Sequence, residues 1–94
     1  MPPNIRHIRQ AFRDGQYYYS IHALEEMDDD GLTDADVEQA VMKGAIVATL
    51  TEDPRGTRFV VRGVILNAET EVEIVCRFLP SSTLRIITVY AIEE

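Results

Sequence analysis

The chain has only two imidazoles, His7 and His22. His22 follows Ser20 at the head of a short amphipathic stretch. An imidazole there, with an ordinary pKa of about 6.5, can act as general acid or base. Its plainer role is packing, with one ring N–H given to a backbone carbonyl. His7, between Arg6 and Arg9, reads as solvated. Arg58, Arg62, Arg77 and Arg85 stand at outward positions of alternating segments. Arginines clustered on a sheet face grip phosphates through two-pronged hydrogen bonds. Glu71 and Glu73 share that face with Arg77, so Arg–Glu pairing across strands competes with ligand binding. The hydroxyls of Tyr17, Tyr18, Tyr19 and Tyr90 offer acids or stacking surfaces, and equally suit half-buried strand positions.

An acidic segment raises a calcium question. Glu26, Asp28, Asp30, Gly31 and Asp34 fall at positions one, three, five, six and nine of an EF-hand loop. Position twelve, which needs a bidentate carboxylate, is Val37, and position one is Glu rather than Asp. A solvated acidic turn is the better reading. Cys76 lies among apolar neighbours and reads as a small buried hydrophobe, with no Cys–His order to make it a nucleophile. There is no phosphate loop, no glycine-rich dinucleotide fingerprint and no metal-spaced His/Cys pair. No motif in the sequence calls for a metal or a cofactor, and none is expected.

Composition narrows the class. Of 94 residues, 46 % are hydrophobic and 27 % charged, with five Gly and four Pro, as in a globular domain rather than a disordered or collagen-like chain. The length fits one domain, 1–94. No apolar run exceeds four residues, against about 20 needed to cross a bilayer, and no signal-peptide core follows Met1. The lone Cys76 gives no intrachain disulfide, so a cytoplasmic location is expected. Nine Lys and Arg against sixteen Asp and Glu give a net charge of −7. Residues 1–55 carry five basic and eleven acidic side chains (−6), residues 56–94 four and five (−1). Such a balance opposes unspecific nucleic-acid binding.

The elements that must hold these residues follow from periodicity. Ile5, Ile8 and Phe12 predict a helix over 4–14, entered through Pro2 and Pro3 and left at Gly15. Tyr17–Tyr19 reads as an extended link. Ser20 caps a short helix to about Met27, with Ile21, Leu24 and Met27 or Ala23 as its buried edge. The acids Asp28–Asp30 at its end oppose the helix dipole and should stop it. Thr33 and Asp36 form a capping box for a third helix ending at Lys43-Gly44, with Leu32 against Val37 as its staple and Val37, Ala40 and Val41 inward. The period then changes to two. Strands are expected at Ile46–Thr51, Thr57–Leu66, Glu71–Leu79 and Leu84–Ile92, joined by short turns. Val72, Ile74, Cys76 and Phe78 face one way, Glu71, Glu73 and Arg77 the other. The expected fold is α+β: two to three N-terminal helices on one face of a four-stranded antiparallel meander.

Ser20-Ile21-His22-Ala23-Leu24-Glu25 with Met27, then Gly31-Leu32-Thr33, Asp36-Val37 and Gly44, and finally Ile87-Thr88-Val89-Tyr90, carry a resemblance. In this order they resemble a bacterial and phage family known only as a domain of unknown function (number four-two-five-eight). Its pattern runs Ser-x-His-Ala-x-x-Arg-Met-x-x-Arg-Gly-Ile and closes on a Thr-Val-Tyr strand. That family is similar to the RelE and BrnT toxins, small α+β ribonucleases that pair with an antitoxin. The resemblance implies a RelE-like fold and places Ser20, His22, Arg77 and Tyr90 at the site of metal-independent phosphoryl transfer. This chain departs from the pattern at Glu26 and Asp30, acids where the family has arginines.

Two functions are therefore expected to compete. One is a toxin-like ribonuclease or its degenerate relative. His22 would be its acid/base, Arg77 and Arg58 its phosphate clamps with Arg62 and Arg85 on the same face, and Tyr90 or Ser20 would orient the substrate. RNA is then the substrate and an antitoxin the partner, although the net charge disfavours RNA. The other is a non-catalytic module that docks a basic protein through its acidic helical turn or dimerises through a sheet edge. Neither involves a membrane.

Overall fold

A computed structural model describes residues 4–92. Pro2 and Pro3, expected at the entry of the first helix, lie outside the described residues. Helix α1 (Ile5–Arg13) starts instead from a local cap. The Asn4 side chain accepts the Arg6 N–H at 2.9 Å, and His7 Nδ1 accepts the Asn4 N–H at 3.0 Å. His7 thus has a capping role. Ile8, Ala11 and Phe12 point inward, and Gly15, at φ 66°, turns the chain out of the helix.

Helix α2 (Ile21–Asp30) is capped by Ser20, whose hydroxyl accepts the Ala23 N–H at 3.0 Å. It runs through the acidic triplet that was expected to stop it. Asp28 and Asp29 are exposed, so water screens their repulsion. Asp30 accepts the Ala91 N–H at 3.1 Å, and Gly31, at φ 67°, closes the helix in the left-handed region. The buried edge also differs from expectation. Ala23 and Met27 are buried, whereas Ile21 is 77 % and Leu24 51 % exposed. Helix α3 (Asp34–Lys43) has its capping box: Thr33 N–H donates to Asp36 at 3.0 Å and Asp36 N–H to Thr33 at 3.1 Å. Val37, Ala40 and Val41 are fully buried. At its other end the Arg9 guanidinium donates to the carbonyls of Val41 (3.1 Å) and Gly44 (2.9 Å), groups a helix leaves unpaired.

Strands β1 (Tyr17–Tyr19), β2 (Ala45–Leu50), β3 (Arg58–Val64), β4 (Glu71–Phe78) and β5 (Leu84–Ala91) form one sheet in the order β1-β5-β4-β3-β2. The last four are the antiparallel meander that alternation predicts. The four-stranded, all-antiparallel expectation is corrected by β1, which pairs parallel to β5 with Tyr17 opposite Leu84 and Tyr19 opposite Ile86. The tyrosine run is therefore a fifth strand, not a link. Its hydroxyls tie it to α3: Tyr17 donates to the Asp34 carboxylate at 2.9 Å and Tyr19 at 2.5 Å. Tyr17 also stacks on Phe12, ring centres 4.1 Å apart.

All three helices lie on one face of the sheet, over a core that includes Ile8, Phe12, Val37, Val41, Val61, Ile74, Ile86 and Val89. Burying each such side chain stabilises the fold by about 1.5–3 kcal/mol before entropy is counted. Helix α3 lies so close to β3 that a Cβ on Gly63 would clash with the Ala40 backbone carbonyl.

The short β1 leaves the second half of β5 without a strand partner, and α2 takes over there. Ser20 Oγ donates to the Ile87 carbonyl at 2.9 Å. Glu26 accepts the Val89 N–H at 3.1 Å, and Asp30, one turn on, accepts the Ala91 N–H. Side chains of one helix thus finish the edge that a strand would have finished.

Candidate functional site

The opposite face of the sheet carries no helix. Register decides what meets there, because residues paired across strands point to the same side. One row runs Tyr18, Arg85, Arg77, Arg58, Leu50 across β1, β5, β4, β3 and β2. A second holds Thr88, Val75, Val60 and Ala48. A third holds Tyr90, Glu73, Arg62 and Ala45. All four basic residues of 56–94 lie on this face.

The first row brings three arginines side by side. Arg77, in the middle, is only 5 % exposed. The Nε atoms of Arg58, Arg77 and Arg85 are all buried, with no hydrogen-bond partner among the described residues. The loop between β2 and β3 curls back over them. An added Cβ on Gly56 would lie 3.3 Å from Arg77 Cδ. From this loop Asp53 reaches to 3.5 Å from Arg58 Nε and 3.8 Å from Arg77. Those are ion-pair distances without hydrogen-bond geometry. The Asp53 carboxylate is already committed to Arg55, through its side chain at 3.2 and 3.3 Å and its backbone N–H at 2.9 Å. Arg55, with the lesser help of Arg58, holds the Asp53 carboxyl below the usual range. Three cations (Arg55, Arg58, Arg77) thus gather around one carboxylate, with Arg85 next in the row, in a chain of net charge −7.

The third row is neutralised. Arg62 donates to Glu73 at 3.0 Å. Tyr90 is raised above its ordinary pKa, first by burial and then by the Glu73 carboxylate beside it. Glu26, around the β5 edge, adds to the same shift. Its Oε1 lies 3.4 Å from His22 Nε2, and His22 itself is 66 % exposed.

The seven expected site residues therefore divide. Arg58, Arg77 and Arg85 stand together. Arg62 and Tyr90 share the third row, about 13 Å away along the strands, four residues at about 3.3 Å each. His22 joins that end through Glu26. Ser20 is buried beneath, its hydroxyl proton given to Ile87 and a lone pair to Ala23. Cys76 lies on the helix face, where burial pushes its thiol up to about 12. Three of the four acids of the calcium pattern are committed elsewhere: Glu26 and Asp30 to the β5 edge, Asp34 to the two tyrosines; the fourth, Asp28, is exposed.

Sequence reasoning missed Asp53, and it named Tyr18 as a stacking surface without placing it beside the arginines. Asp53 reads as turn punctuation before Pro54, and nothing local says that this turn folds back onto the sheet. Tyr18 joins the row only because β1 is a strand.

The chain matches the model of a family described as a domain of unknown function, DUF4258, over residues 19–91, and it belongs to that family. The match runs from the last residue of β1 to the end of β5, and so takes in α2 and every arginine of the open face. Helix α1 lies outside it. Neither curated proteins nor solved structures returned a significant match. Among the described residues, no helix is long and apolar enough to cross a membrane.

Proposed function

We propose that this domain is a cytoplasmic binder of single-stranded RNA, a relative of the RelE and BrnT toxins that grips the phosphodiester backbone with its open sheet face. One observation carries the reading: the row Arg58, Arg77, Arg85, whose buried Nε atoms have no hydrogen-bond partner among the described residues, where Asp53 alone comes to ion-pair distance. Such a row is costly to assemble without an anion, because like charges side by side repel. Guanidinium forks suit phosphate oxygens, and Tyr18 at the end of the row gives a base a surface to stack on. The net charge then restricts binding to this face rather than forbidding it.

Cleavage is the further step of this reading. His22 would move the proton and Tyr90 orient the strand, and RNA would have to run from the arginine row to the β5 edge. Ser20 would act only through the placement of α2. The test is incubation of mixed RNA with wild type and His22→Ala, at low salt and without metal. Loss of cleavage in the variant supports a ribonuclease. Binding without cleavage by either protein leaves a degenerate relative.

A second reading has its own observation. Ile21 and Leu24 form an exposed apolar pair on α2 beside the acids Glu25 and Asp28. That surface suits a basic, amphipathic segment such as an antitoxin would offer. Loss of a partner complex on Leu24→Ser, with RNA binding unchanged, would favour it.

A further inference from the structure

The two edges of the sheet are treated differently. On the β5 side, three-residue β1 is the last strand, and beyond its end Ser20, Glu26 and Asp30 satisfy the β5 backbone groups it leaves free. On the other side β2 is the last strand, and no side chain or backbone group among the described residues caps its outer edge. Proteins usually guard such an edge with a lysine, a proline or an inward charge. Ala45–Leu50 has none of these, and Val47 is 49 % exposed.

We propose that β2 pairs antiparallel with β2 of a second copy of this chain, about a two-fold axis between Val47 and Ala48. Register and charge both select this partner. The pairing of β2 with β3 slips by one residue at Val47, so Ala45, Ala48 and Leu50 lie on the open face and Ile46 and Thr49 on the helix face. An axis between Val47 and Ala48 sets Ala45 against Leu50 of the other copy, and Ile46 against Thr49. Each pair then shares a face, which an unbulged strand could not achieve in this register. The two bulges meet at the axis, and the pairs on either side stay in step. Just beyond the strand, exposed Lys43 at the end of α3 comes to the same end of the seam as exposed Glu52 of the other copy, and the two-fold repeats that approach of opposite charges. The two sheets join into one of ten strands with both arginine rows on the same face. This dimer goes beyond the RNA reading, since a monomer also carries a complete row.

Sedimentation equilibrium from low-micromolar to near-millimolar protein tests it, with thermal melts verifying that each variant folds. Wild type should show a reversible monomer–dimer equilibrium. Lys43→Glu and Glu52→Lys should each weaken it by about three- to tenfold, as expected when two exposed ion pairs become repulsive. The combined Lys43→Glu/Glu52→Lys protein should recover wild-type association. Val47→Lys should abolish it. A monomer at every concentration would overturn the proposal, and so would a dimer indifferent to both charge reversals. RNA binding is measured separately and stands or falls without it.

Discussion

The α2 carboxylates that finish the β5 edge give the sharpest stability prediction. Replacing Glu26 by Ala removes the acceptor of the Val89 N–H, made at 3.1 Å on a fully buried residue. A hydrogen bond to a charged acceptor contributes about 1.5–3 kcal/mol, and leaving the donor buried and unpaired adds to the loss. The contact to exposed His22, at 3.4 Å, adds little. The expected cost is about 2 kcal/mol, or roughly 10 °C in Tm for a domain of this size. Glu26→Gln keeps an acceptor and should cost about half as much. Asp28→Ala is the control: the residue is exposed and its charge opposes the helix dipole, so its loss should be neutral or slightly stabilising. Urea denaturation gives the three free energies, and hydrogen exchange at the Val89 amide reports the edge directly. If Glu26→Ala costs no more than Asp28→Ala, the helix does not hold the edge. Arginine has only donors, so Glu26→Arg/Asp30→Arg should be worse than either alanine change.

Three further outcomes follow from the geometry. Gly63→Ala drives a methyl into the rigid Ala40 carbonyl and should cost about 2 kcal/mol or more, read by urea denaturation. Burial, and then hydrogen bonding to Asp34, raises Tyr17 from 10.0 to about 12, and Tyr19 also rises. The unfolded chain therefore loses these protons first. Their stabilisation is complete below pH 10 and lost as pH rises towards 12, so alkaline melts should fall in that window, and less in Asp34→Asn. Asp53→Asn removes the anion that faces the arginine row and should tighten binding of inorganic phosphate, seen as a larger rise in Tm with added phosphate; an unchanged rise would mean that Asp53 does not compete.

Local signals were enough for much of the fold. The Thr33–Asp36 box, the Ser20 cap and the change of period at Ala45 are written in neighbouring residues, and the structure places each within a residue or two. Strand β1 was not legible, because its partner lies 67 residues on, at Leu84, and three tyrosines show no alternation. The inward edge of α2 was misread for a related reason. Glu26 and Asp30 turn inward only because three-residue β1 leaves β5 short of a partner, and no local pattern announces that vacancy. The candidate site was half legible. Alternation placed Arg58, Arg62 and Arg77 on one face, but cross-strand register decided that Arg58, Arg77 and Arg85 stand side by side and that Arg62 stands with Glu73 instead. His22 drew attention as a scarce residue, yet it sits at the far end of the face from the arginines.

The arginine row is tested most directly by fluorescence anisotropy of a labelled single-stranded RNA over a range of salt, with wild type and Arg58→Gln/Arg85→Gln. Three phosphate contacts predict a log–log salt slope of about −2 for wild type, and the variant should lose roughly two-thirds of it along with most of its affinity. No binding by wild type at low salt, or an equal slope in the variant, would contradict the assignment of this face to RNA.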